Sequence, residues 1–170
     1  MSIKFSADEI FEMAMRIEQN GANYYRAAAA QFQRNARAAK LLTELAGWEE
    51  GHRITFGALR EDLRESERKK TMFDPEDEMG RYLQAMADGT IFNIELEPAK
   101  RLTGKEHIVD VLRTAVGMEK DSIIFYLGLR DLVPADRGRD KVDAIIKEEM
   151  SHIGFLNREL GALKLGGESV

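Results

Sequence analysis

Four segments of this chain carry apolar residues at alternating steps of three and four, and each of these seams is broken near its middle by an acidic or imidazole side chain. The spacing is that of a helix with one face turned toward a core. The first seam reads Phe11, Ala14, Glu18, Gly21, Tyr25, Ala28, Phe32; the second reads Ala38, Leu42, Leu45, Glu49, His52, Phe56, Leu59, Leu63. The third reads Ile108, Leu112, Ala115, Glu119, Ser122, Tyr126, Leu129, Val133; the fourth reads Val142, Ile145, Glu149, His152, Leu156, Leu160, Leu163. Any fold for this chain must therefore tolerate four carboxyls and two imidazoles at the mid-level of an oily interior.

Local signals set the expected helix limits. Ser6-Ala7-Asp8-Glu9 reads as a capping box that opens a helix running to about Arg34, and a second helix is expected from near Asn35 to about Arg68. Thr103-Gly104-Lys105-Glu106 reads as another capping box, opening a third helix at Thr103 that stops near Val133, before Pro134. A fourth is expected from about Asp136 to Leu160, ending at Gly161 or fraying into Leu165-Gly166-Gly167. The short links make each pair an antiparallel hairpin, about 6–68 and about 103–161. The crossover between them, about 69–102, holds Pro75, Pro98 and the Asp88-Gly89 turn signal, with a short helix expected at Glu76–Ala87. Only Ile91 to Glu97 alternates as a strand would. The expected class is all-α: a four-helix bundle of two antiparallel hairpins joined by a long crossover, forming one domain over 1–170.

The hairpins resemble each other. Ala14-Met15-Arg16-Ile17-Glu18 matches Ala115-Val116-Gly117-Met118-Glu119, and a tyrosine, Tyr25 or Tyr126, follows each glutamate by seven residues. In the partner helices Glu49-x-x-His52 matches Glu149-x-x-His152. Duplication explains the pairing; chance likeness between amphipathic helices would explain the flanking residues alone.

Antiparallel hairpins bring the four interruptions to one level. An unpaired buried ion costs several kcal/mol even after relaxation, about enough to open a small core. No lysine or arginine lies on the seams to neutralise the glutamates. Two divalent cations would, balancing four carboxylates with both histidines neutral. Residues three apart share a helix face, so a Glu-x-x-His pair offers an oxygen and a nitrogen to one site. Carboxylates with two imidazoles suit iron, manganese or zinc. Tyr25 and Tyr126, two turns beyond Glu18 and Glu119, would either hydrogen-bond the ligand carboxylates or pack as core aromatics with their hydroxyls satisfied elsewhere. Trp48 lies off the seam and is expected to pack, His107 to sit at the surface or cap a helix, and Glu50 and Glu148 to point away from the site into solvent.

Several functions are excluded or disfavoured by composition. The chain has no cysteine, which removes disulfides, thiolate metal sites and thiol nucleophiles. Its net charge of −5 is spread along the chain, unlike a basic nucleic-acid footprint. No apolar run reaches the roughly 18 residues of a membrane span, and Met1 to Glu12 lacks a signal pattern, so a cytoplasmic location is expected.

Glu18, Glu49, His52, Glu119, Glu149 and His152 follow the order of ligands in the ferritin-like di-metal carboxylate proteins. Over the four-helix portion the chain resembles their rubrerythrin branch. The resemblance implies a ferritin-like fold and a centre of two iron ions that reduces hydrogen peroxide or dioxygen. It implies that these six residues serve as metal ligands and carry catalysis. Glu49 and Glu149 would bridge, Glu18 and Glu119 would be terminal, and each histidine would give one nitrogen. Rubrerythrins usually append a cysteine-rich electron-transfer domain; with no cysteine here, electrons would come from a separate donor protein. The missing electron-transfer domain makes an iron-binding or ferroxidase role without a reductase cycle the alternative; peroxidase members also carry a further glutamate one turn after the third-helix ligand, where this chain has Ser122 and so lacks a second anchor for a shifting metal. Members of the family often form homodimers, some by exchanging helices, and the 69–102 crossover is long enough for that.

Overall fold

Ser6 starts the first helix as its sequence implies. Its Oγ accepts from the Glu9 amide at 3.3 Å, and the Glu9 carboxylate accepts from the Ser6 amide at 2.7 Å. The structure is a computed structural model, and its described residues are 6–63, 81–82, 97–133 and 135–165. Helix α1 spans Ala7–Gln31 and α2 spans Ala36–Glu61. Their link is closed by the Asn35 amide donating to the Phe32 carbonyl at 2.8 Å, while the Asn35 side chain accepts from the Ala38 amide at 3.1 Å. Helix α3 spans Ile108–Leu132 and α4 spans Arg139–Leu165. No strand occurs among the described residues, and no described helix is long and apolar enough to cross a membrane.

Several expected boundaries move, each for a local reason. Helix α1 stops at Gln31 rather than Arg34, because Phe32 to Asn35 form the turn. Helix α2 stops at Glu61 rather than Arg68, where the Leu63 amide bonds the Arg60 carbonyl in a tightened final turn. Of the expected capping-box bonds at Thr103–Glu106 one forms: Thr103 N and Oγ1 donate to Glu106 Oε1 at 2.6 and 2.8 Å, while Thr103 Oγ1 accepts from the Lys105 amide at 3.3 Å. They close a turn ahead of the helix instead of capping it, since Gly104 sits at φ +82°, a left-handed conformation a helix cannot contain. Helix α3 thus begins at Ile108, with His107 exposed at its N-cap and making no side-chain cap bond. Before α4, Ala135–Arg137 make a single 3-10 turn and Gly138 turns the chain at φ +96°, which moves the start from Asp136 to Arg139. Helix α4 continues through Gly161 to Leu165. Of the expected helix at 76–87, Arg81 and Tyr82 are helical and the rest lies outside the described residues, as do the strand-like alternation before Glu97 and the glycine tail after Leu165.

Both hairpins are antiparallel. Arg60, at the end of α2, pairs with Asp8 at 2.7 Å and Glu12 at 3.0 Å, at the start of α1. Val133, after α3, and Val142, early in α4, share one core cluster. Helix α1 also packs on α3 and on the 3-10 segment Pro98–Arg101. The core divides into two apolar clusters. One contains Ile10, Phe11, Phe56, Leu129 and Ile145; the other contains Ala28, Leu42, Leu45, Leu112 and Leu156. The interrupted stretch of every seam lies between them, so the polar groups are sealed above and below by hydrocarbon.

Candidate metal centre

All six seam residues are buried, from fully for Glu18 and Glu149 to 6 % exposed for His152. They converge as two overlapping sets: Glu18, Glu49, His52 and Glu149, and Glu49, Glu119, Glu149 and His152. Within each set, one oxygen or nitrogen per residue lies within 4.8 Å of every other. Glu49 and Glu149 belong to both. The Glu149 carboxylate divides its oxygens between the histidines, with Oε1 at 2.9 Å from His52 Nδ1 and Oε2 at 3.0 Å from His152 Nδ1. Glu18 Oε2 lies 3.5 Å from His52 Nδ1, and Glu119 Oε1 lies 3.8 Å from His152 Nδ1. Both imidazoles therefore turn the same nitrogen inward.

Orphaned atoms test whether cations fit here. Glu18 Oε2 and Glu49 Oε1 are buried with no hydrogen-bond partner, and His52 Nδ1 and Glu149 Oε1, though 2.9 Å apart, are not aligned as a hydrogen bond. Most buried polar groups in a folded protein find such a partner. These four come from one four-residue set, one atom from each residue, which is the donor set a cation needs. The hard oxygens and two imidazole nitrogens suit a first-row transition metal.

The electrostatics of the protein alone lead the same way. Burial, and then the charges of Glu119, Glu18 and Glu149, hold the Glu49 carboxyl well above its ordinary range. Burial, with the charges of Glu119 and Glu18, pushes Glu149 up to about 8, against its bonds to the histidines. For His52 burial opposes the charged form, but bonds to Glu149 and Glu18 outweigh it and raise the imidazole to about 11. His152 likewise overcomes burial through Glu119 and Glu149 and rises to about 9. In Glu119 burial is outweighed by the bonds from His152, Glu149 and Tyr25, and its carboxyl is lowered. Without metal, protons do the neutralising.

The tyrosines bond crosswise. Tyr25 Oη on α1 donates to Glu119 Oε1 on α3 at 2.6 Å, and Tyr126 Oη on α3 donates to Glu18 Oε1 on α1. Burial, and then the negative charge of Glu119 or Glu18, holds each hydroxyl well above its ordinary range, so both keep their protons and act as donors. Each thereby fixes one carboxylate oxygen and leaves the other for a ligand. Gly21 makes room for Glu49: a Cβ there would stand 2.7 Å from Glu49 Oε2. Ser122, its counterpart one turn past Glu119, is also buried.

Glu148 corrects the sequence reading. It does not turn away from the site; its Oε2 lies 2.9 Å from His52 Nε2, although its side chain is 61 % exposed. The residue before a seam position on α4 faces the flank of α2, which places Glu148 against the outer edge of His52. Glu50 does face outward, where it pairs with Arg53 at 2.6 Å and Arg26 at 3.4 Å. Trp48 packs on the site itself: its ring stacks on His152 at 4.7 Å and 16°, and His152 stacks on His52 at 5.4 Å and 16°. Burial does not reveal either contact from sequence, since both residues lie off the apolar seam. A cavity of about 720 Å³ between α2 and α4 reaches this column, lined by Trp48, His52, Glu148, His152, Phe155 and Arg158 among others.

No curated protein matches the chain in sequence. Among solved structures it is similar to that of a chain from Thermotoga maritima, named a ferritin-like diiron-carboxylate protein. The TM-score is 0.64 and the identity 25 %, with 95 % of each chain covered. The bundle thus has the ferritin-like fold. A family model for rubrerythrin matches residues 9–160, from the first turn of α1 to near the end of α4 and across both halves of the Glu/His cluster, and the chain belongs to the rubrerythrin family.

Proposed function

We propose that this chain is a non-haem di-iron protein that reduces hydrogen peroxide or dioxygen with electrons from a separate donor. The observation that carries this reading is the pair of overlapping four-residue sets sharing Glu49 and Glu149. The di-iron name of its structural neighbour supports iron as the metal. Glu49 and Glu149 would bridge, Glu18 and Glu119 would each serve one ion, and His52 and His152 would each give Nδ1. When bound, two ferrous ions supply two electrons, which with two protons convert one hydrogen peroxide molecule to two waters.

The chain's own groups prepare the site for this. Two apolar clusters shut bulk water out from either end. Tyr25 and Tyr126 hold Glu119 and Glu18 in place at no cost in reorganisation. The cavity beside Trp48, His52 and His152 gives a small oxidant a way in. The test is anaerobic reconstitution with two ferrous ions per chain, followed by rapid mixing with peroxide. Oxidation within the mixing experiment, repeated when reductant is added, is the expected result; a loaded centre that stays ferrous overturns the reading.

Ser122 favours a second reading, in which iron is bound and oxidised without a reductase cycle. It occupies the buried place one turn past Glu119 with a hydroxyl instead of a further carboxylate. A single oxidation that added reductant never resets would select this reading over the first.

A further inference from the structure

The internal repeat predicts equivalent partners for the two histidines, and the structure gives them different ones. Glu49-x-x-His52 and Glu149-x-x-His152 align, which places Trp48 opposite Glu148. Each of these two residues reaches crosswise to the histidine of the other hairpin. Glu148 on α4 sets a carboxylate oxygen 2.9 Å from His52 Nε2. Trp48 on α2 lays its ring on His152 at 4.7 Å, and no acceptor among the described residues meets His152 Nε2. The other crosswise pair, Tyr25 to Glu119 and Tyr126 to Glu18, keeps its symmetry. At the outer edges of the imidazoles the two halves therefore differ, and Glu148 itself is no member of either four-residue set.

We propose that Glu148 is a positioning residue that makes the two metal positions unequal, so that the first ion enters the Glu18–His52 half and binds more tightly than the second. The inference rests on the two-metal reading above. With Nδ1 turned inward, His52 must carry its proton on Nε2 to offer a lone pair to a cation, and a carboxylate at Nε2 holds that tautomer and makes Nδ1 a better donor. At its outer edge His152 meets ring stacking alone among the described residues, which fixes its plane but not its proton. Loss of an outer partner of this kind typically lowers metal affinity by about 10–100-fold. A gap of about that size is expected between the two halves, widened by repulsion between the ions.

The test is an anaerobic calorimetric titration of the full chain with cobalt(II) alone, with the imidazole N–H resonances of the cobalt protein followed by NMR. Wild type is expected to bind two ions in two steps, with one slowly exchanging imidazole N–H present from the first step. Glu148→Gln keeps a hydrogen-bond acceptor but loses the charge. At an exposed position it should fold normally, weaken the first step by about 10-fold or more, and leave the second unchanged. Trp48→Glu should strengthen the second step and bring a second slowly exchanging N–H. Two ions bound with affinities that Glu148→Gln leaves unmoved, or a first N–H that this variant does not disturb, overturn the inference while the two-metal reading stands. A wild-type chain that takes up no divalent ion overturns that reading and the inference together.

Discussion

Metal loading should expel about four protons from this protein at slightly acidic pH. The number follows from the charge of the six buried groups. Holding them neutral without metal takes four protons, and four sites are built to keep them: His52 and His152, raised to about 11 and about 9, Glu149, raised to about 8, and Glu49, held well above the carboxylate range. Two divalent ions replace those protons charge for charge. At about pH 6.5 all four sites are nearly full, so loading releases about four protons for two ions. As pH rises through about 8 and about 9, Glu149 and then His152 give up their protons before any metal binds, and the release falls below four. The assay is calorimetric titration with manganese(II) in buffers of different ionisation heat, where the slope of observed heat against buffer heat counts protons. The combined association constant for the pair should rise about 10,000-fold per pH unit near pH 6.5 and less steeply at higher pH. A release of one proton or fewer for the pair would mean that the cluster is not the proton store described, and would refute the reasoning from burial and charge.

The same protons set the pH response of metal-stripped protein. His52 and His152 have folded values above the unfolded 6.5, so their stabilisation is complete below that and is lost as pH climbs through about 9 and then about 11. Glu149 keeps its proton when folded up to about 8, while unfolded chain loses it near 4.5, so it too favours the folded state less as pH rises. The Tm of the stripped protein should fall steadily from about pH 5 to about pH 9, and calorimetry showing a rise would contradict this. Gly21→Ala should force the Glu49 carboxylate aside and cost about 1–3 kcal/mol in stability, read by denaturant unfolding, because its Cβ would stand 2.7 Å from Oε2. Gly117→Ala, on the exposed face of α3 with nothing within 4 Å, should instead stabilise by up to about 1 kcal/mol. Tyr25→Phe should cost about 1.5–3 kcal/mol, since it strips a buried carboxylate of its donor; the same denaturant melts measure it.

The seams were legible because burial repeats with the helix. Of the residues on the four seams, those from Phe11 to Ala28, Ala38 to Leu59, Leu112 to Val133 and Val142 to Leu156 are all buried, and only the end positions Phe32, Leu63, Ile108, Leu160 and Leu163 are partly open. That one period placed the four glutamates and two histidines on the core face without any knowledge of contacts. Helix ends were harder to read, because they are decided by single backbone conformations. Glu106 accepts from the Thr103 amide as in a capping box, yet Thr103 Oγ1 accepts from the Lys105 amide instead of the Glu106 amide, and Gly104 at φ +82° makes the segment a free-standing loop. Glu148 was misread for a related reason. Its position on α4 marks it as solvent-facing, and it is largely exposed, but exposure of the stem says nothing of where the carboxylate comes to rest. Contacts between the flanks of neighbouring helices have no period to announce them.

A buried cluster of six ionisable groups invites the question of how the chain folds before any metal arrives. The proton-laden state supplies the answer. With Glu49 and Glu149 neutral and both histidines charged, the interior carries no net charge, and the 2.9 and 3.0 Å contacts from Glu149 to the two histidines hold its level together. Glu18 Oε2 and Glu49 Oε1 remain without partners in that state, which is a standing cost of the kind that each unsatisfied buried group imposes. The bundle tolerates it because both flanking clusters are continuous hydrocarbon, rich in Leu, Ile and Phe. Selection for stability alone would have replaced the six groups with leucine, since well-packed apolar residues often match or exceed a buried ionic network. Their presence therefore has to be explained by what they bind. The apolar clusters carry the fold; the glutamates and histidines between them are a load it bears for the sake of the cations.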